Sequence, residues 1–348
     1  MFRQNSSRAK MKYLQFYGAF NIRVLFTLVM FALIGAMCFN GAAQAAAVNL
    51  PKTGQTSCWD TSGNSIACAG TGQDGDTRSG AVWPNPRFTN PDGSTPISVN
   101  VVTDQLTGLM WTRDAGTPTI GSCVGGTMPW QSGLNYVACL NRANYLGYSD
   151  WRLPNMVELN SLNSYTSATS PPAVWLNSIG FQNVKTGQYD FYLSSTVVAH
   201  RTDKAAYNFI FADGGMCVAV IPGMCFSYNY VWPVRAGQTA HAYISQPWKT
   251  GMQTTYDTNN PKRDDGALQM GVAWPSPRFT NPDGSTPVLG DVVVDQLTDL
   301  MWIKDASTPT IESCVGGKMP WQSGLNYVAC LNRANYLGYS DWRMPNVI

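Results

Sequence analysis

"MPWQSGLNYVACLNRANYLGYSDWR" runs from Met128 to Arg152 and returns without one change as Met319 to Arg343. Leu134, Val137, Ala138 and Leu140 recur at helical spacing, which predicts a helix over "PWQSGLNYVACLNRANYLG" with Gly147 at its C-terminal end. The identity extends outward at a constant offset. Trp83 to Pro96 matches Trp274 to Pro287, and Val101 to Trp111 matches Val292 to Trp302. Further upstream the match loosens, with Lys52 to Asp60 against Lys249 to Asp257. Two long copies are two versions of one globular domain, not a solenoid of short repeats. The first unit spans 49–237, and 238–348 is an incomplete second copy.

Within the first unit, "VNVVTDQLTGLMW" alternates and predicts a hairpin turning near "DQLTG". "WRLPNMVELNSL" predicts a second helix, with Asn155 as N-cap and Glu158 at the third helical position of a capping box. That role accounts for Glu158 without catalysis. Short strands follow at Phe191 to Val198, Lys204 to Phe211, Gly215 to Ile221 and Tyr228 to Gly237, with "ADGG" as a hairpin turn. The expected fold is α+β, an antiparallel sheet with two helices per unit. The second copy carries the hairpin and first helix but nothing equivalent to Glu158 through Gly237. Its apolar hairpin face, around Val292, Val294, Leu300 and Trp302, is expected to be exposed. It reads either as a truncated duplicate or as a half-domain that pairs with another chain. Truncation is preferred, because the break falls inside a motif.

Residues 1–45 have a different character. Arg3, Arg8, Lys10, Lys12 and Arg23 precede or enter an apolar run, Val24 to Phe39, and "AQA" ends at Ala45. This is the pattern of a cleaved signal peptide, and the run is short for a membrane span. Cys38 follows Met37, a poor context for lipid attachment. Taking those five basic residues from the 23 Lys and Arg leaves 18 against 21 Asp and Glu. A slightly acidic mature chain offers no bulk attraction to nucleic acid or anionic glycans. The segment implies periplasmic, cell-surface or extracellular placement, with membrane contact only through the signal segment. Of nine cysteines, eight lie beyond it, as Cys58/Cys68, Cys123/Cys139, Cys217/Cys225 and Cys314/Cys330. An even number in an exported chain predicts disulfides. The last pair duplicates the second, which favours pairing within each repeat. The second copy lacks counterparts of both Cys58 and Cys68, consistent with their being partners. Zinc is disfavoured, since there is no CxxC and only His200 and His241 as histidines.

Leu106 to Trp111 ("LTGLMW"), Asp150 to Asn155 ("DWRLPN"), Leu193 to Thr196 ("LSST") and Trp232 to Arg235 ("WPVR") resemble, in order, the motifs of the Lcl C-terminal domain family, also called domain of unknown function 1566. "TGQDGD", Thr71 to Asp76, resembles the segment that often precedes such domains. The resemblance implies a fold like that of C-type lectins and formylglycine-generating enzymes. It also implies a surface adhesin role, best understood as binding of sulfated glycans. Leu193 stands where relatives often carry Trp.

No GxSxG, HExxH or P-loop occurs, and two histidines leave little for a Ser–His–Asp site. A lone His200 is more often a packing or surface residue than a catalyst. Asp74 and Asp76 in "QDGD" are calcium candidates against a plain turn. Trp83, Trp111, Trp130 and Trp151 are either core residues, the commoner case, or sugar-stacking surfaces. Trp111, Trp151 and Arg152 are the ligand-binding candidates. The functional expectation is an exported or surface-displayed binding and adhesion protein for a glycan or other surface ligand. No cofactor is expected. The alternative is an exported enzyme on a formylglycine-generating-enzyme-like scaffold.

Overall fold

A computed structural model describes residues 48–166, 171–199, 206–219, 228–237 and 243–348. The signal segment, His200, His241 and Cys225 lie outside the described residues. In chain order the first copy forms β1 (Cys58–Trp59), β2 (Ser65–Ile66), α1 (Asp74–Thr77), β3 (Phe88–Thr89), β4 (Val101–Asp104) and β5 (Leu109–Thr112). Then come α2 (Trp130–Arg142), α3 (Met156–Ser161), α4 (Pro172–Ser178), β6 (Phe191–Val197), β7 (Ala206–Ile210), β8 (Met216–Ala219) and β9 (Val234–Ala236). The second copy adds α5 (Asp265–Leu268), β10 (Phe279–Thr280), β11 (Val292–Asp295), β12 (Leu300–Ile303) and α6 (Trp321–Arg333). The chain is mixed α and β, with several small antiparallel sheets.

The expected hairpin is β4–β5, with Val102 opposite Trp111. A buried bidentate pair locks its turn: Arg87 donates to Asp104 from Nε at 3.0 Å and from Nη2 at 2.9 Å. Asp104 also accepts from the Leu106 amide at 3.0 Å. The second copy repeats the pair as Arg278 and Asp295. Gly108 closes the first turn with φ 78°, and a Cβ there would fall 2.3 Å from Tyr243. Asp299, its counterpart, takes the same left-handed region at φ 55°.

The helix in the repeated string ends sooner than its periodicity predicts. α2 stops at Arg142, and Asn144 (φ 49°) and Leu146 (φ 56°) turn left-handed, which no α-helix continues. The capping box forms as expected: Asn155 Oδ1 accepts from the Glu158 amide, and Glu158 Oε2 from the Asn155 amide. Two helices, α1 and α4, go beyond the two expected; Pro172 opens α4, a position where a missing N–H costs nothing.

The single sheet expected per unit is corrected: the first unit has three, a short β1–β2 pair and two larger sheets. β6, β7 and β8 form an antiparallel meander, with the "ADGG" turn between β7 and β8. β9 does not join it. It pairs with β5 in a sheet ordered β3–β4–β5–β9. Just before β9, Tyr230 reaches the meander by a parallel bridge to Tyr192. Burial is the reason: β9 at this edge puts Trp232 and Val234 into the core beneath β5. The β3–β9 sheet is covered on both faces. Val102, Leu109 and Trp111 face a core with α3, α4, Tyr192, Phe209 and Trp232. Val101 and Met110 face another with α2, Trp151, Leu193 and Val231.

The disulfides Cys58–Cys68, Cys123–Cys139 and Cys314–Cys330 form as paired in the sequence. Cys217 is disulfide-bonded as well, and its expected partner, Cys225, lies outside the described residues. Cys123–Cys139 staples α2 to the preceding loop; closing its 16-residue separation contributes about 3 kcal/mol in the chain-entropy account.

Among the described residues, the second copy forms one of the two cores. Val292, Met301, Tyr327, Val328, Leu331 and Trp342 reproduce the α2-side core. The opposite face is open: Phe279 is 47% exposed where Phe88 is 6%, and Trp302 36% where Trp111 is 0%. The exposed face expected from sequence is thereby corrected. Val292 is buried and Val294 packs against that core, because they alternate onto the α6 side, while Trp302 lies on the open side.

Each leader segment docks on the other copy. The second leader, 243–274, lies on the first copy: Ser245 N donates to Leu106 O at 2.9 Å, Gln131 Nε2 to Asp257 at 2.8 Å and Asn155 Nδ2 to Met270 O at 3.3 Å. Met252 enters the first copy's core. The first leader, 48–83, makes the matching contact with the second copy, from Val48 N to Leu297 O at 2.5 Å. It also stays tied to its own copy through Tyr165 N to Thr53 O and the Trp83–Trp175 ring pair.

Candidate functional site

The ligand-binding candidates do structural work. Trp111 is fully buried, edge-on to Trp232 at 5.5 Å. Trp151 is buried, and its Nε1 donates to Tyr145 O at 2.9 Å. Arg152 is buried and forks onto Glu158, both bonds 2.6 Å. All three sit beneath the surface because their strands and turns are covered on both sides. Leu193 is likewise buried, against α2.

The calcium candidates sit on α1. Asp74 accepts from the Thr53 hydroxyl, which ties α1 back to the start of the leader, and Asp76 accepts from the Gly72 amide at 3.0 Å, which closes a local turn. Among the described residues no three His, Cys, Asp or Glu side chains gather as a metal site. In the second leader the counterpart of Asp74 is Asp265, buried against the first copy, where it accepts from Thr196 at 2.8 Å and Thr250 at 2.5 Å. Burial pushes its pKa up, opposed by those two hydroxyls; Glu158 raises it further and Arg152 lowers it. Because the docked pKa lies above the ordinary carboxylate value, docking takes up a proton between the two. The second leader therefore docks more tightly as pH falls from neutral through the raised pKa, with no further gain below the ordinary value. Hydrogen exchange of 247–270 against pH measures this, and Asp265→Asn flattens the profile. A profile equally steep in the variant would assign it to another group.

With both copies described, the family comparison can be placed on the fold. The model of the Lcl C-terminal domain matches residues 100–235 and 291–348, together more than half of the chain. The chain belongs to the Lcl C-terminal domain family. The first match covers β4 through most of β9, and the second covers the β11–β12 hairpin and α6. Both leaders lie outside the matched segments. No curated protein and no solved structure matches the chain.

On the complete Lcl copy, one exposed patch gathers aromatic rings and charges. Tyr189 and Tyr228 are exposed, 65% and 60%. Tyr230, half-buried, stands two residues from Tyr228 and so on the same side of an extended segment. Lys185 Nζ lies 4.6 Å from the Tyr230 ring centroid. The Lys185 backbone is pinned by its amide donating to Tyr192 Oη at 2.9 Å. Burial, and then the Asp190 carboxylate, raise the Tyr230 pKa, which places that charge close by. Aromatic faces beside a cation and a carboxylate can hold a sugar, the rings taking its C–H face and the charges its hydroxyl or sulfate groups. Sequence reasoning missed these residues. The one available signal was Tyr-x-Tyr at 228–230, followed directly by the closing motif.

Three further clefts, of about 590, 340 and 200 Å³, run along the join between the first leader and the second Lcl copy. The smallest is lined by Trp59, Tyr165 and Trp321. Trp321 is 50% exposed, whereas its counterpart Trp130 is 5% exposed and bonds Ser194 O of β6. These clefts lie where the first copy has its meander and β9.

Proposed function

We propose that this chain is an exported, surface-displayed binding protein that holds a glycan or another surface ligand on the Tyr189–Tyr228–Tyr230 patch of its complete copy. The observation that carries the reading is this patch: its exposure belongs to a copy with both cores filled. Three disulfides among the described residues fit a protein that folds in an oxidising compartment. Family membership supports an adhesive role, and the lectin-like reading of the fold goes with it. The local cation, Lys185, offsets the acidic balance of the chain and favours an anionic sugar such as a sulfated glycan.

A glycan array probed with the full chain tests the proposal. Binding is expected on sulfated glycans, weakening as salt rises, since an exposed charge contact is screened within about 8 Å at physiological ionic strength. Tyr230→Ala and Lys185→Ala each reduce it by about tenfold, equivalent to losing one ring or ion contact of about 1.4 kcal/mol. An array with no binding would defeat the reading. So would undiminished binding by both variants, or turnover in a chromogenic substrate panel that one polar substitution abolishes.

A further inference from the structure

One leader contact is made twice, once between chain neighbours and once across the molecule. Ser245 N donates to Leu106 O at 2.9 Å, and Val48 N donates to Leu297 O at 2.5 Å. The residues correspond one for one. Val48 and Ser245 stand at the same distance before Lys52 and Lys249, and Leu106 and Leu297 hold the same place in the two "DQLT" turns. Inside each leader a threonine hydroxyl donates to an aspartate, Thr53 to Asp74 and Thr250 to Asp265. Each aspartate also acts on an arginine of the opposite copy, Asp265 on Arg152 and Asp74 on Arg343. Burial lowers the Arg343 pKa, and the Asp74 carboxylate opposes that by favouring the charged form. The two contacts differ in strength. Met252 of the second leader enters the first copy's core, whereas its counterpart in the first leader is Gln55, half-buried on the cleft that Trp59 and Trp321 line. A carboxamide in place of a buried thioether gives up apolar burial, so the first leader is the more weakly held.

Chain connectivity also favours the second leader's contact over the first's. The second leader follows the first copy directly, whereas Val48 and Leu297 are far apart in sequence. We propose that the first leader is exchangeable between molecules: it docks on the second Lcl copy of another molecule of this chain, which returns its own first leader, and the two form a reciprocal dimer. The surfaces are those already joined within one molecule, so the exchange needs no new complementarity, and its reciprocity closes the assembly. The bond from Tyr165 N to Thr53 O and the Trp83–Trp175 ring pair keep each first leader on its own first copy. The leader is therefore offered to a partner as part of a folded body rather than as a loose strand. Within one chain the two surfaces face each other at an effective concentration that dilute free chains do not reach. Closure of the chain on itself dominates in dilute solution, and exchange takes over where chains are crowded.

The test exchanges charges across the join in the full chain. In Asp74→Arg alone, and in Arg343→Asp alone, like charges meet and closure of the chain on itself weakens. The Val48 amide then exchanges its hydrogen about tenfold faster, and light scattering finds a monomer. Mixed in equal amounts, the two variants form a one-to-one heterodimer, because both leader contacts now join an arginine to an aspartate, and Val48 regains its protection. A chain carrying both changes closes on itself again and is a protected monomer. The wild-type chain supplies a second measurement that needs no substitution. Unfolded with its disulfides intact and refolded at high concentration, it yields a dimer that dilute refolding does not. A mixture that stays monomeric would overturn the proposal, as would a wild-type chain that refolds to monomer at both concentrations. So would single variants whose Val48 amide is as protected as in the wild type, or a double variant that does not regain protection. Tyr230→Ala leaves the exchange unchanged, so failure of the glycan reading and failure of this one are separate results.

Discussion

Glu158→Ala is expected to destabilise the first copy by about 4 kcal/mol, because it strands a buried guanidinium. Arg152 and Glu158 are both nearly inaccessible, and two bonds of 2.6 Å join them. Removing the acid leaves the guanidinium with a long bond of 3.4 Å from Nη1 to the Leu153 carbonyl. It also opens the capping box at Asn155, and a lost cap adds about 1 kcal/mol. Glu158→Gln keeps an oxygen for the Asn155 amide and one for the guanidinium, so its loss is smaller. Urea denaturation of both variants gives the comparison. A loss below about 1 kcal/mol for the alanine variant would show that water reaches Arg152 and that the pair is not a buried one.

Trp232→Ala is expected to cost as much, about 3 to 5 kcal/mol, by opening a cavity in the larger core. The ring is fully buried and meets Trp111 at 5.5 Å, Phe181 at 5.2 Å and Phe211 at 5.6 Å, all edge-to-face. Its Nε1 donates to Thr112 O at 2.9 Å, joining β5 to the segment that enters β9. Trp232→Phe retains most contacts but leaves that carbonyl without the indole donor. Trp302→Ala is the control. Its counterpart Trp111 is 0% exposed but Trp302 is 36% exposed, so its removal is expected to cost less. Thermal melts that rank the two alanine variants in the opposite order would mean that the second copy's open face is covered in solution.

What the sequence disclosed was local. The β4–β5 hairpin, the Asn155–Glu158 cap and the three visible disulfides each join residues within a short stretch of chain, where spacing and residue type determine the outcome. β9 escaped because its choice between β6 and β5 depends on which core can take Trp232, a matter of distant packing. Trp111, Trp151 and Arg152 were legible as unusual residues but not as buried ones, since aromatic and arginine side chains serve cores and surfaces alike. Tyr189, Tyr228 and Tyr230 were obscured for the converse reason. Tyr228 and Tyr230 sit in a segment whose alternation reads as strand and Tyr189 just before another, and only the assembled copy shows which side faces out.

The crossed leaders set an order of folding. The second leader follows the first copy directly in the chain, so the pair completes a largely sequential unit. The first leader is made first, yet its Val48–Leu297 contact waits until nearly the whole chain has emerged. Closing so long a loop carries an entropic cost that grows only with the logarithm of its length, so the delay, more than the free energy, is the burden. During that interval Val48, buried in the finished fold, has no acceptor, and late closure of long-range contacts is the stage at which chains aggregate. The early tie between Thr53 and Tyr165 within the first copy gives the waiting leader a place to rest until the second copy arrives.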